Sequence, residues 1–317
     1  MVRKLGVTRT VLSHLGVFVL QVLGSTVSYL PPSFWDLLSK LLASILWLFS
    51  SSYKRNAQRN LIRAGHTTEK ARVLARACFK SNVLVFFETL AVRRILARKG
   101  ARIESRISPG AEAAIERIRA GKETLALAVS GHTGVWELLG AETARLVAPT
   151  TMVVAASLSK NPIVARFLVR TRRRAGIKLV ERNEILRYLL KNVREKIPHI
   201  HVFLCDQHFK GGTIVPFMGE DACTVAIPAT MIKKYDPPVL LGRCVRKAAG
   251  DYLIEIDLMD KTPFRNLSGE EAVRAIILAC NKHIEESIAM APEQWTWGHK
   301  RWKLCCSAKA PAAEAGA

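Results

Sequence analysis

Acidic residues are scarce in this 317-residue chain: 26 Asp and Glu stand against 48 Lys and Arg, a net charge of +22. So large an excess of one sign implies an anionic partner, either nucleic acid or anionic lipid. Nucleic acid is disfavoured, because the sequence has no zinc-finger spacing, no helix-turn-helix pattern and no aromatic RNA-binding signature. Cys-x-x-Cys is absent, and the seven cysteines, at 78, 205, 223, 244, 280, 305 and 306, are scattered and odd in number. That pattern argues against a disulfide framework or a cysteine-built metal site and reads as reduced thiols facing the cytosol. His199, His201 and His208 lie close together in sequence but at no metal-ligand spacing. The reading is of a chain with no cofactor, no metal and no internal repeat.

What the chain does have is apolar mass. A 49% share of apolar residues and 23% charged residues describe a sequence able to bury a sizeable core. From Val11 to Trp35 no charged residue occurs, and that length suffices to cross a bilayer. Arg3, Lys4 and Arg9 precede it, but no Ala-x-Ala cleavage pattern follows, so the expectation is a retained anchor. A second apolar stretch, Phe34 to Phe49, follows Pro31-Pro32 and runs into Lys54, Arg55, Arg59 and Arg63. Basic flanks on both sides favour a helix in the membrane interface or a shallow hairpin turning at the prolines. The alternative is an amphipathic helix packed on the soluble body.

Hydrophobic periodicity organises the remainder. Residues 68 to 99 read as helix, with Thr67 or Thr68 as cap and Glu69 in the first turn. A second helix follows Pro109. Short apolar runs then alternate with helical stretches: Thr124 to Val129, Met152 to Ala156, Ile177 to Val180, Ile200 to Cys205, Val239 to Val245 and Tyr252 to Leu258 as strands, with Pro162 to Arg174 and Asn183 to Lys196 as helices between them. This predicts an α/β fold, a mixed but mostly parallel sheet covered by helices, with an N-terminal hydrophobic anchoring helix or hairpin. Tyr252 to Leu258 alternates in polarity and is expected at a sheet edge. Glu270 to Ala289 reads as a closing helix. The domain reading is a membrane-associated segment over 1–52, a catalytic domain over 53–303 and a disordered tail over 304–317.

The strand Thr124 to Val129 ends in Ser130-Gly131-His132-Thr133-Gly134-Val135-Trp136-Glu137. A glycine-bearing turn at the carboxyl end of a strand is where α/β sheets present their ligands. Glu137, one helical turn beyond His132, is expected to accept a ring N–H and leave the other nitrogen as a general base. Backbone amides of the turn, or nearby positive charge, would steady an oxyanion. The other reading of the pair is a buried histidine bonded to a carboxylate. Arg166, Arg170, Arg172, Arg173 and Arg174 gather on one helix, with Arg170 and Arg173 three apart on one face and suited to a phosphorylated head group or an acidic carrier surface. A solvated basic face is the plainer alternative. Asp206 and Gln207 occupy a second strand end, as site residues or as a cap on the Gly211-Gly212 turn. Trp295, Trp297 and Trp302, interleaved with His299, Lys300, Arg301 and Lys303, resemble an interfacial belt or, alternatively, core packing.

Several segments together resemble one family. The His132-to-Glu137 box is similar to that of the glycerolipid acyltransferase superfamily. Tyr53 to Leu61, Asn161-Pro162 with its arginine-rich helix, Asp206-Gln207 with Val215 to Gly219, and Ala291 to Trp302 narrow the resemblance to the bacterial lipid A biosynthesis acyltransferases of the late lauroyl/myristoyl type. The resemblance implies acyl transfer from acyl carrier protein, or coenzyme A, to a hydroxyl of a lipid A precursor at the cytoplasmic face of the inner membrane. In that scheme His132 is the base, Glu137 orients it, and Arg170, Arg173, Asp206 and Gln207 bind substrate. The Trp-containing box also resembles phosphatidylinositol mannoside acyltransferases, which leaves another anionic glycolipid or a lysophospholipid as the alternative acceptor. The remaining rival is a basic membrane- or nucleic-acid-binding protein without catalysis.

Overall fold

The computed structural model describes Thr26 and residues 29–156 and 162–303. The greater part of the expected anchor from Val11 to Trp35 thus lies outside the described residues, as do Asn161 and the tail from residue 304. The described chain begins with α1 (Pro32–Phe49) and α2 (Ser51–Arg63), bent by 97° at Ser50. Pro32 starts α1, the position where a missing N–H costs least. The helix buries Trp35, Ser39 and Ala43, and it packs beside α3 (Thr68–Leu96). Thr67 caps α3 by accepting the Lys70 amide at 3.3 Å. No single described helix is long and apolar enough to cross a membrane; only α1 and α2 together reach the required length and composition.

A seven-stranded sheet follows, in the order β1-β9-β8-β2-β5-β3-β4. Its strands are β1 (Arg102–Ile107), β2 (Leu125–Ser130), β3 (Thr151–Ala156), β4 (Ile177–Glu181), β5 (His199–Leu204), β8 (Val239–Ala248) and β9 (Asp251–Leu258). All neighbours are parallel except β8 and β9. The expectation of a mixed, mostly parallel sheet covered by helices is met. The central strand β2 is buried at every residue, as a parallel strand covered on both faces must be. The covering helices include α4 (Pro109–Arg119), α5 (Trp136–Val147), α6 (Pro162–Arg174), α7 (Ile185–Arg194), α8 (Ile227–Tyr235) and α9 (Gly269–Met290). One separate hairpin, β6 (Thr213–Phe217) and β7 (Glu220–Thr224), turns at Met218-Gly219, both with positive φ, the twist that a two-residue hairpin loop requires.

The strand expected at the edge is internal. Tyr252, Ile254 and Ile256 of β9 are buried, because β1 lies outside it. β1 carries Glu104 and Arg106, which pair across the surface with Lys247 and Glu255. Its polar sequence, Arg-Ile-Glu-Ser-Arg-Ile, concealed a strand that covers an edge. The expectation of reduced thiols holds for Cys78, Cys205, Cys244 and Cys280, all buried and free. It fails at Cys223, which is disulfide-bonded.

One buried ion pair joins the helical layer to the sheet. Glu88 of α3 is fully buried and accepts two hydrogen bonds, each of 2.6 Å, from the Arg246 guanidinium of β8. Arg246 also donates to Ser81 Oγ at 2.9 Å, and its backbone N–H and C=O both bond the Gln294 side-chain amide. Removing one partner of such a pair strands the other charge without water. Glu88→Ala should therefore destabilise the protein by about 3–5 kcal/mol. The double variant Glu88→Leu/Arg246→Met should lose clearly less than the sum of the single losses, read from denaturant midpoints in detergent.

Candidate active site

Sheet register brings the central pair of residues together. Strands β2 and β5 are adjacent and parallel, with Ser130 opposite Leu204. Two residues further along each strand, His132 faces Asp206. The Asp206 carboxylate is buried and accepts three hydrogen bonds: from His132 Nδ1 at 2.8 Å, from the His132 backbone N–H at 2.8 Å and from Trp295 Nε1 at 2.8 Å. An ionised carboxylate only accepts, so Nδ1 carries the proton and Nε2 is left with its lone pair. The ring is 21% exposed and lines a cavity of about 240 Å³. Trp136 packs edge-on against it, with centroids 5.4 Å apart.

The expected contact between His132 and Glu137 is not made. Glu137 lies at the start of α5 and turns toward α6, where Arg172 binds it twice, through Nε at 3.1 Å and Nη2 at 2.5 Å. The reason is directional. A residue in the first turn of a helix that leaves the sheet projects toward the neighbouring helix, whereas a residue opposite in register projects along the strand end. Glu137 therefore anchors a guanidinium at the cavity wall, and Asp206 holds the histidine. The carboxylate expected to contact substrate is instead sealed beneath the ring.

Two of the turn amides are also occupied. His132 N–H points at Asp206 and Gly134 N–H donates to the Gln294 carbonyl at 3.0 Å. Gly134 has φ +56°, and a Cβ there would lie 1.8 Å from the Cys244 carbonyl oxygen, so the turn admits only glycine. Neither amide is free for an oxyanion, and two guanidiniums, Arg172 and Arg182, line the cavity. Apolar side chains, including Val154, Ile185, Val202, Phe203 and Ile227, form much of the remaining wall.

Charge tunes both partners. Burial works against the imidazolium of His132, but the charge and hydrogen bond of Asp206, with Glu137 adding at longer range, outweigh it and raise the ring's pKa above its ordinary 6.5. Burial likewise opposes the Asp206 carboxylate; His132, the Trp295 indole and the His132 amide overcome that and hold it well below the usual range.

Of the residues expected to bind substrate, Gln207 lines the cavity. Arg170 and Arg173 do not: they are exposed on α6, and it is Arg172 between them that turns inward. The tryptophans form no interfacial belt. Trp295, Trp297 and Trp302 are 1%, 0% and 7% exposed; Trp295 meets the other two indoles edge to face, and Phe217 packs at a tilt against Trp295 and Trp302. Sequence reasoning missed Trp295 as the third donor to Asp206. The alternation of Trp with basic residues misled, because Arg301 is also fully buried. Its guanidinium donates to the carbonyls of Gln207 and Cys223 and to Thr224 Oγ1, pinning the segment beside Asp206. The Tyr53 to Leu61 segment acts from the other side. Asn60 donates to the Trp297 and His299 carbonyls at 2.8 and 2.6 Å, and Gly298 lies flat on the Tyr53 ring, where any Cβ would meet carbons within 2.3 Å.

No curated protein matches the chain. The family model described as bacterial lipid A biosynthesis acyltransferase matches residues 2–304, nearly the whole length. With the fold and the strand-end histidine in place, that match identifies the chain as an acyltransferase belonging to the bacterial lipid A biosynthesis acyltransferase family.

Proposed function

We propose that this enzyme transfers a fatty acyl group from a thioester, acyl carrier protein or coenzyme A, to a hydroxyl of a lipid A precursor, with His132 as general base. The observation that carries the reading is the His132–Asp206 pair at the mouth of an apolar-walled cavity, with the Arg172 guanidinium beside it. The acceptor hydroxyl gives its proton to His132 Nε2 as its oxygen bonds to the thioester carbonyl carbon. Arg172, fixed by Glu137, stabilises the oxyanion that forms. Collapse of that intermediate breaks the C–S bond, and the departing thiolate takes the proton back from the imidazolium. Asp206 keeps the ring in the required tautomer and stabilises its cationic form, without itself taking a proton. Glu137 thus has a positioning role through Arg172, in place of the orienting role expected on His132. Between the two thioesters, the +22 charge favours the acidic carrier protein.

The working place is the inner membrane, at its cytoplasmic face. Supporting this, α1 exposes a continuous apolar face: Leu41, Ile45, Leu48 and Phe49 are 57%, 58%, 71% and 82% exposed. Lys54 stands over Trp47 at the bend, and Arg55 lies exposed nearby. An apolar face of this kind beside cations suits a helix lying at lipid head-group depth. In a chain shortened to begin at Tyr29, so that the upstream apolar segment does not hold it, Leu41→Asp/Ile45→Asp should sharply reduce flotation with vesicles containing anionic phospholipid while leaving the far-ultraviolet circular dichroism unchanged. Flotation equal to that of the unsubstituted shortened chain would remove α1 from the membrane contact.

Chemistry is tested by acyl transfer in detergent micelles. His132→Ala should lose activity to background. Asp206→Asn should lower kcat roughly 10²–10⁴-fold, as loss of an orienting carboxylate does. The base must be neutral to act, and its pKa is raised, so kcat/KM should rise with pH through a midpoint above 6.5. Asp206→Asn removes the charge that favours the imidazolium, so that midpoint should move down. Full activity in Asp206→Asn, or a midpoint that moves up, would exclude the proposed base.

A further inference from the structure

The cavity wall holds a second guanidinium that the reaction above leaves unused. Arg182, one residue beyond β4, lines the cavity with Gln207 and Phe209 and stacks over the Phe209 ring, 4.5 Å from its centroid. Arg172 is neutralised by Glu137. Arg182 has no carboxylate within ion-pair distance among the described residues. Nor is it alone, since His208 sits between Gln207 and Phe209 on the same loop. Burial and then the charges of Lys303, Arg301 and Arg182 push the His208 pKa below its ordinary value. Arg301 is buried with its bonded partners all neutral oxygens.

Asp206 and Glu285 offset the charge of Arg301, but Arg182 has no such carboxylate among the described residues, and an arriving anion would relieve its repulsion by the neighbouring cations. The Phe209 ring holds Arg182 at the cavity, and among the described residues its N–H groups make no hydrogen bond, which leaves them able to grip a tetrahedral oxyanion through two parallel hydrogen bonds. We propose that Arg182, backed by His208 and Lys303, forms an anion subsite at the cavity rim that receives a phosphate ester of one of the two substrates. The proposal rests on the acyl-transfer reading for which molecule carries the phosphate, but not for the subsite's charge. It also moves the phosphate contact from Arg170 and Arg173, exposed on α6, to a residue on the cavity itself.

Two measurements on the full chain test it. In steady-state assays, Arg182→Gln should raise the KM of one substrate about tenfold, the loss expected for one charge-assisted contact. That rise should exceed any change in kcat, and Arg182→Lys should restore part of it. A rise confined to the lipid acceptor assigns the phosphate to its head group, and one confined to the thioester donor assigns it to the donor's phosphodiester. Both support the subsite; unchanged KM for both substrates overturns it. Independently of catalysis, the His208 ring should titrate at higher pH when inorganic sulfate is added to wild type, followed by NMR, and should not respond in Arg182→Gln. A wild-type His208 indifferent to sulfate overturns the proposal whether or not acyl transfer is seen. A sulfate response without acyl transfer from any donor keeps the subsite and discards the acyl-transfer reading.

Discussion

A carboxylate removed from water survives only if hydrogen-bond donors replace the water it lost. Asp206 is fully enclosed, and its donors come from two distant parts of the chain: the His132 ring and backbone N–H, and the Trp295 indole. Each donor has its own support. His132 is placed by the register of β2 against β5, and Trp295 by the edge-to-face indoles around it and by Phe217. Losing one donor would leave a buried charge partly unmet, so the whole neighbourhood is constrained to keep the ring where it is.

This constraint explains why the C-terminal segment and the Tyr53 to Leu61 segment stand out in the sequence although neither touches the cavity. Gln294 ties the turn at Gly134 to Arg246, and Arg246 completes the pair with Glu88 beneath it. Asn60 holds the carbonyls on either side of Gly298. His132 is thus connected, through hydrogen bonds and short runs of backbone, to helix α3 on one side and to α2 on the other. The same architecture leaves the cavity wall free to carry the positive groups that substrates would meet.

Much of the fold was legible because long apolar runs and helical spacing are local signals. The six predicted strands all exist, and α6 begins and ends where its arginine-rich stretch does. β1 escaped because its residues are polar, and it is a strand only through β9 beside it. Within the site, His132 was legible from its glycine turn at a strand end. Its partner was not, because spacing along the chain measures helical neighbours and says nothing of strands that become adjacent only through topology. Asp206 lies 74 residues away in sequence, and the insertion of β5 between β2 and β3 is what makes it a neighbour. Arg172 was in view among five arginines, but helical spacing alone favoured Arg170 and Arg173, which face solvent.

The position of Trp295 near the end of the described chain has a consequence for biogenesis. Synthesis proceeds from the N-terminus, and domains complete their folding once their last contributing segment is available. Here α1, with its apolar face, is made early, whereas the indole that completes the Asp206 environment is made late. The order of synthesis therefore leaves the Asp206 carboxylate one donor short until Trp295 has left the ribosome, long after α1 has done so.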